Sequence, residues 1–150
     1  MDRLDPARTA LVLVHMVKGV AGDVDTPFSR LFRQRAEEAG LLGTQQRLLD
    51  RFRAAGAMVV RGQGASGFEG TSLDTILRVA GVANLVLAGI ATDVAVESTA
   101  RAACDLAYRP IVVSDGCLSD TAQGHANSLA VIKKWFGETP TADEVLSALK

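Results

Sequence analysis

The chain has 150 residues, 48% of them apolar and 22% charged, with a formal net charge of −1, which fits one globular domain spanning 1–150 and excludes general disorder. Near neutrality removes the long-range attraction to phosphate that nucleic-acid binding needs, so no nucleic-acid partner is expected. No apolar run reaches the ~18 residues of a membrane span, and the opening MDRLDPARTA has acids where a secretory signal wants bases, so the expectation is a cytoplasmic protein with no membrane partner.

In chain order, ALVLVHMV (10–17) is nearly all apolar between polar flanks, as in a strand buried on both faces. Thr26 and Pro27 read as an N-cap and first helical residue. Phe28, Leu31 and Phe32 then recur at helical spacing until Gly40 stops the helix. Thr44 is expected to cap a second helix, with Leu48, Leu49, Phe52 and Ala55 on one face and Gly56 at its end. AMVV (57–60) is the second strand. Thr71 with Asp74 three residues on suggests a capping box for a third helix that ends at Gly81. LVLAGI (85–90) is a strand, 93–107 a helix by propensity, and PIVVS (110–114) a fourth strand. One helix follows Asp120, and another starts at Thr141 with Glu144 completing a capping box. Strands alternating with helices predict an α/β three-layer sandwich with a mostly parallel, Rossmann-like sheet. Ligands bind such sheets at the carboxyl ends of the strands, which points to His15, Arg61 with its glycines, the loop after Ile90, and Ser114 with Asp115.

Few motifs carry chemistry by spacing alone. Gly62, Gly64 and Gly67 form a formal GxGxxG after a strand, but a pyrophosphate site requires the helix to open within the glycines. The capping signal lies later, at Thr71, so a glycine-rich connection is the plainer reading and no nucleotide cofactor is expected. No His, Cys, Asp or Glu grouping has metal-ligand spacing. Cys104 and Cys117 read as reduced packing thiols, Asp23 and Asp25 as turn residues, and His125 as a solvated residue on a late helix.

The stretch 84–119, NLVLAGIATDVAVESTARAACDLAYRPIVVSDGCLS, resembles the signature half of the isochorismatase-like cysteine hydrolases. In that family a strand ends in G-I-A-T-D-V, a nucleophilic Cys opens a helix, and V-E-S-T-A-R follows. The segment S-G-F-E-G-T-S-L (66–73) is similar to the family's S-A-F-x-G-T-x-L, and LVLVHMV to its first strand. The resemblance implies an isochorismatase-like sheet, with one strand fewer because a segment ahead of the S-x-F motif is missing. It also implies hydrolysis of small amides, or of a vinyl ether, by an Asp-Lys-Cys triad: a thiolate attacks, a carboxylate takes its proton, and an ammonium balances the charge.

The triad positions carried over to this chain are His15, Gly62 and Ala95. A methyl group forms no thioester, so covalent catalysis at Ala95 is excluded. Arg61 can place a cation nearby but cannot serve as a base. By resemblance, the Ile90–Ala91 bond is a non-prolyl cis peptide and the N–H groups of Ala91 and Ala95 form an oxyanion site. The implied substrate-binding set is Arg61, Ser66, Phe68, Ile90, Ala91, Thr92 and Ala95. Glu97, Ser98, Thr99 and Arg101 are expected to make structural hydrogen bonds.

Two functions follow from this reading. One is a small-molecule-binding, non-catalytic or repurposed relative without the cysteine mechanism. The alternative is an enzyme of non-covalent hydrolysis, elimination or isomerisation, with His15 as the acid or base, a role imidazole fills near neutral pH. The absent segment also leaves AMVV as a bare sheet edge, which predicts a homodimer or higher homo-oligomer.

Overall fold

The computed structural model describes residues 1–16 and 25–150. Four parallel strands form one sheet in the order β2-β1-β3-β4, with β1 at Thr9–Val14, β2 at Met58–Gly62, β3 at Asn84–Ile90 and β4 at Arg109–Leu118. The α/β class and all four expected strands are present. Alternation of side chains along β1 feeds both faces. Ala10, Val12 and Val14 enter one core layer with Leu85, Leu87 and Val112, while Leu11 enters the other with Val86, Ala88, Ile111 and Val113.

Helices cover both layers. On the first face lie α3 (Leu73–Val79), α4 (Glu97–Asp105) and α5 (Ala122–Trp135), contributing Leu73, Leu77, Ala100, Ala103 and Ile132. On the second lie α2 (Leu41–Ala54) and α6 (Ala142–Ala148), contributing Leu48, Phe52, Ala142 and Val145. The remaining helix, α1 (Pro27–Glu38), packs Phe32 and Ala36 with Leu41, Ile90 and Leu118 in a third cluster at the carboxyl end of the sheet.

Several boundaries differ from the sequence expectation, each for a local reason. β1 ends at Val14, because His15 turns the backbone to φ +54°; Val17 and Asp23 lie outside the described residues. Gly40, at φ +62°, ends α1 and opens α2 directly, which places Thr44 inside α2 rather than at its cap. Thr71 does not form a capping box with Asp74: its hydroxyl donates to the Gly67 carbonyl at 2.7 Å, and Asp74 is taken by Arg78 and Tyr108. β4 runs past Ser114 to Leu118 because the register slips between Leu87 and Gly89, which pair with Val112 and Cys117 and leave the intervening residues as a bulge. Ser114 and Asp115 lie in that bulge, where Ser114 bonds the Pro140 carbonyl and Asp115 accepts from the Ala142 amide. They anchor the start of α6 instead of facing a ligand.

Candidate functional site

Thr26 accepts from the Ser29 amide at 3.1 Å and Ser29 bonds back to the Thr26 amide, so α1 starts where the sequence indicates. That start places Phe28 and Phe32, one turn apart, over the carboxyl end of the sheet, their ring centroids 4.7 Å apart. Together with His15 from the end of β1, Ile90 and Ala91 from the end of β3, Asp93, Val94 and Ala95 from the following turn, and Asp120 after β4, they enclose a cavity of about 210 Å³. Phe32, Ile90 and Ala95 are almost fully buried and make its floor, whereas Phe28 is 54% exposed at the mouth.

The turn after β3 is shaped by its own backbone and by a polar network behind it. The Ile90–Ala91 peptide is cis. The Val96 N–H bonds the Ala91 carbonyl five residues back at 3.1 Å, a wide turn that precedes α4. Thr92 is fully buried, and its hydroxyl lies 2.8 Å from His125 Nδ1. Ser128 Oγ donates to a Glu97 carboxylate oxygen and lies 3.1 Å from the Thr92 carbonyl. Ser119 Oγ donates to Asp93 Oδ1 at 2.6 Å and accepts from the Asp93 amide, and Arg35 Nε donates to the Ser119 carbonyl at 2.7 Å. Thr99 donates to the Ala95 carbonyl and accepts from the Gly67 amide, tying the turn to the 66–71 loop.

His125 is therefore not a solvated surface residue. It is half-buried, and desolvation, reinforced by the Arg35 charge, pushes its pKa below the ordinary histidine value. The neutral ring so favoured shares a hydrogen bond with the Thr92 hydroxyl through Nδ1. The expected structural roles in V-E-S-T-A-R are borne out for Glu97, Thr99 and Arg101. Glu97 binds Arg101 and Ser128, and the Arg101 guanidinium lies 4.3 Å from the Phe136 ring centroid. Burial pushes the Cys117 thiol up to about 12, as befits a packing residue.

The structure brings His15, Ile90, Ala91 and Ala95 to one cavity and sends the rest of the inferred set elsewhere. Arg61 and Gly62 line a separate groove with Gln63, Gly67, Leu73 and Ile76. Phe68 stacks on Tyr108 with centroids 5.9 Å apart, and Ser66 caps the Phe68 amide. Thr92 turns toward His125. Gly62 still touches the site through its backbone, its carbonyl accepting from the His15 amide at 2.9 Å. Sequence reasoning did not place Phe28, Phe32, Asp93 or Asp120 at the cavity. The signal available was an aromatic pair at i and i+4 on a well-capped helix, with an acidic residue soon after the end of each of β3 and β4. Among the described residues there is no grouping of His, Cys, Asp and Glu able to hold a metal ion, and no helix is long and apolar enough to cross a membrane.

Comparison with known proteins gives a consistent result. The isochorismatase domain model matches residues 3–144. The uncharacterized isochorismatase family protein YecD of Escherichia coli O157:H7 is 38% identical over 82 residues, covering 55% of this chain and 44% of that protein. A ureidoacrylate amidohydrolase, RutB, of Klebsiella pneumoniae subsp. pneumoniae is 36% identical over 126 residues, covering 80% of this chain and 53% of that protein. The matches thus span about half the length of these curated relatives. Among solved structures, a cysteine hydrolase from Pseudomonas syringae pv. phaseolicola 1448A superposes with a TM-score of 0.85 at 24% identity, covering 99% of this chain and 95% of that one.

Proposed function

Because the chain belongs to the isochorismatase family yet carries His15, Gly62 and Ala95 where the family resemblance puts Asp, Lys and Cys, we propose that it is a small-molecule-binding member that works without a covalent cysteine intermediate. The observation that carries this reading is the lining of the cavity. Ala95 presents a methyl group at the helix-opening position, and among the described residues neither Lys nor Cys lines the cavity. Cys117 is no substitute nucleophile, since burial holds it as a neutral thiol. The test is to incubate the protein with activated esters and amides, digest it and map adducts by mass spectrometry. No adduct is expected at Ala95 and none on either thiol in step with turnover, and an adduct on Cys104 or Cys117 formed in step with turnover would overturn the reading.

One observation supports a second reading, non-covalent hydrolysis, elimination or isomerisation. His15 lines the cavity at a left-handed backbone angle of φ +54°. Its imidazole has no hydrogen-bond partner among the described residues. Non-glycine residues at positive φ are uncommon and gather at functional sites. In this reading His15 acts as acid or base, and the amides of Ala91 and Ala95 stabilise negative charge on the substrate. His15→Ala should then abolish any turnover found while leaving the urea midpoint close to that of the parent. An unchanged rate in a folded variant removes His15 from the chemistry.

A further inference from the structure

The chemistry of the cavity wall narrows what it binds, and this step rests on the small-molecule reading above. Among the described residues its lining holds two carboxylates, Asp93 and Asp120, and neither Lys nor Arg. Neither carboxylate forms an ion pair among the described residues. Asp93 spends Oδ1 on the Ser119 hydroxyl. Its Oδ2 lies against Gly124, where a Cβ would come within 2.5 Å of it, so only a glycine leaves room for this carboxylate. The arginines of α1 are engaged elsewhere: Arg30 and Arg33 pair with Asp25, and Arg35 bonds the Ser119 carbonyl. Arg35 offsets part of the charge at this rim, but among the described residues two carboxylates against one guanidinium leave it negative.

The lining is also aromatic, with Phe28 exposed at the mouth and Phe32 buried. A ring face attracts a cation, and more strongly where water is partly excluded. Ile90 and Ala95 complete an apolar interior, and Val94, largely exposed, adds an apolar side chain at the rim. At about 210 Å³ the cavity holds the equivalent of about seven water molecules, room for one small ring or a short chain. We infer that the cavity between α1 and the ends of β1 and β3 takes a small organic cation, an amine with an apolar body. Its ammonium sits at the Asp93 and Asp120 rim against Phe28, and its body rests on Phe32, Ile90 and Ala95.

Three probes of one shape and different charge test this: benzylamine, benzyl alcohol and benzoate, each titrated into the full chain at neutral pH and low ionic strength, followed by calorimetry and by the NMR shifts of Ile90, Val94 and Ala95. Benzylamine is expected to bind about tenfold or more tightly than either other probe, and to lose about threefold or more of that margin on raising salt from about 20 to about 300 mM. Asp120→Asn, at an exposed position outside any helix or strand, should reduce the preference for the amine about threefold with an unchanged urea midpoint. Benzoate or benzyl alcohol binding as tightly as benzylamine overturns the cation assignment and leaves the cavity reading standing. An undiminished amine preference in Asp120→Asn also overturns the assignment. Absence of binding by all three probes removes both the assignment and the small-molecule reading.

Discussion

Burial divides two pairs of like residues. Cys117 is 4% exposed, points its thiol at the Leu87 carbonyl, and has its pKa pushed up to about 12, whereas Cys104 is only partly buried. At about pH 8 a disulfide reagent should therefore modify Cys104 at least about a hundredfold faster than Cys117, with Cys117 titrating only on unfolding; equal rates in the native protein would contradict the packing role. The two histidines divide in the same way. His15 faces the cavity without a hydrogen-bond partner among the described residues, while His125 bonds Thr92 and burial favours its neutral form. Since the folded state depresses the His125 pKa, the unfolded chain binds more protons as pH falls below about 6.5. The contribution of His125 is thus fully present above that pH and is lost as pH drops through the folded pKa. Urea midpoints at pH 7.5 and pH 5 should differ less in His125→Gln than in the parent, and an identical pH dependence would show that the ring does not carry the linkage.

Two kinds of junction hold the elements in place. Where β3 passes β1, Gly89 is the register partner of Val14 at φ +151°, and a Cβ there would run into the Val14 carbonyl. Gly89→Ala should therefore cost on the order of 4 kcal/mol or more, or abolish folding, as a backbone clash inside a central strand pair has no side chain to move aside. A variant with a parental melting point would mean that the strands separate readily. The helix caps are gentler. Thr26 and Thr141 each accept from the amide three residues on, so Thr26→Ala and Thr141→Ala should each lower stability by about 1 kcal/mol, read as a shift in the denaturant midpoint. The Thr26 change should also loosen Phe28 and Phe32 at the cavity, because α1 aims both rings from that cap.

At the scale of the whole molecule, the strand order leaves β2 at one edge of the sheet with an outer row of backbone groups that no strand covers among the described residues. The strand is longer than AMVV implied: it continues to Gly62 and includes the exposed Arg61, a charge of the kind that discourages indiscriminate edge pairing. Met58 to Val60 remain an uncharged segment, and pairing of that segment with a second copy predicts a homodimer at high micromolar concentration. Sedimentation velocity across a concentration series tests this, and a species that stays monomeric throughout would show the edge to be adequately protected by Arg61 and the glycine-rich loop.

The sequence by itself determined the alternation of strands and helices, the parallel sheet, the cap positions at Thr26 and Thr141 and the methyl side chain at Ala95. Each of these depends on residues within a turn or two of one another, through periodicity, capping chemistry or the plain identity of a side chain. The 84–119 segment added the turn after Ile90, since a long run of matching residues fixes a local backbone path. Only the tertiary structure decided the membership of the cavity. Phe28 and Phe32 from α1, Asp93 after β3 and Asp120 after β4 meet because parallel strands deliver all their carboxyl ends to one side of the sheet, and nothing in local spacing shows which of those ends share a wall. The same reason explains Arg61, Ser66 and Phe68: Arg61 lies near the end of β2 and the other two follow it, and β2 lies beyond β1 from the turn after β3, so the loop packs on Thr99 and Tyr108 instead of closing over Ala95.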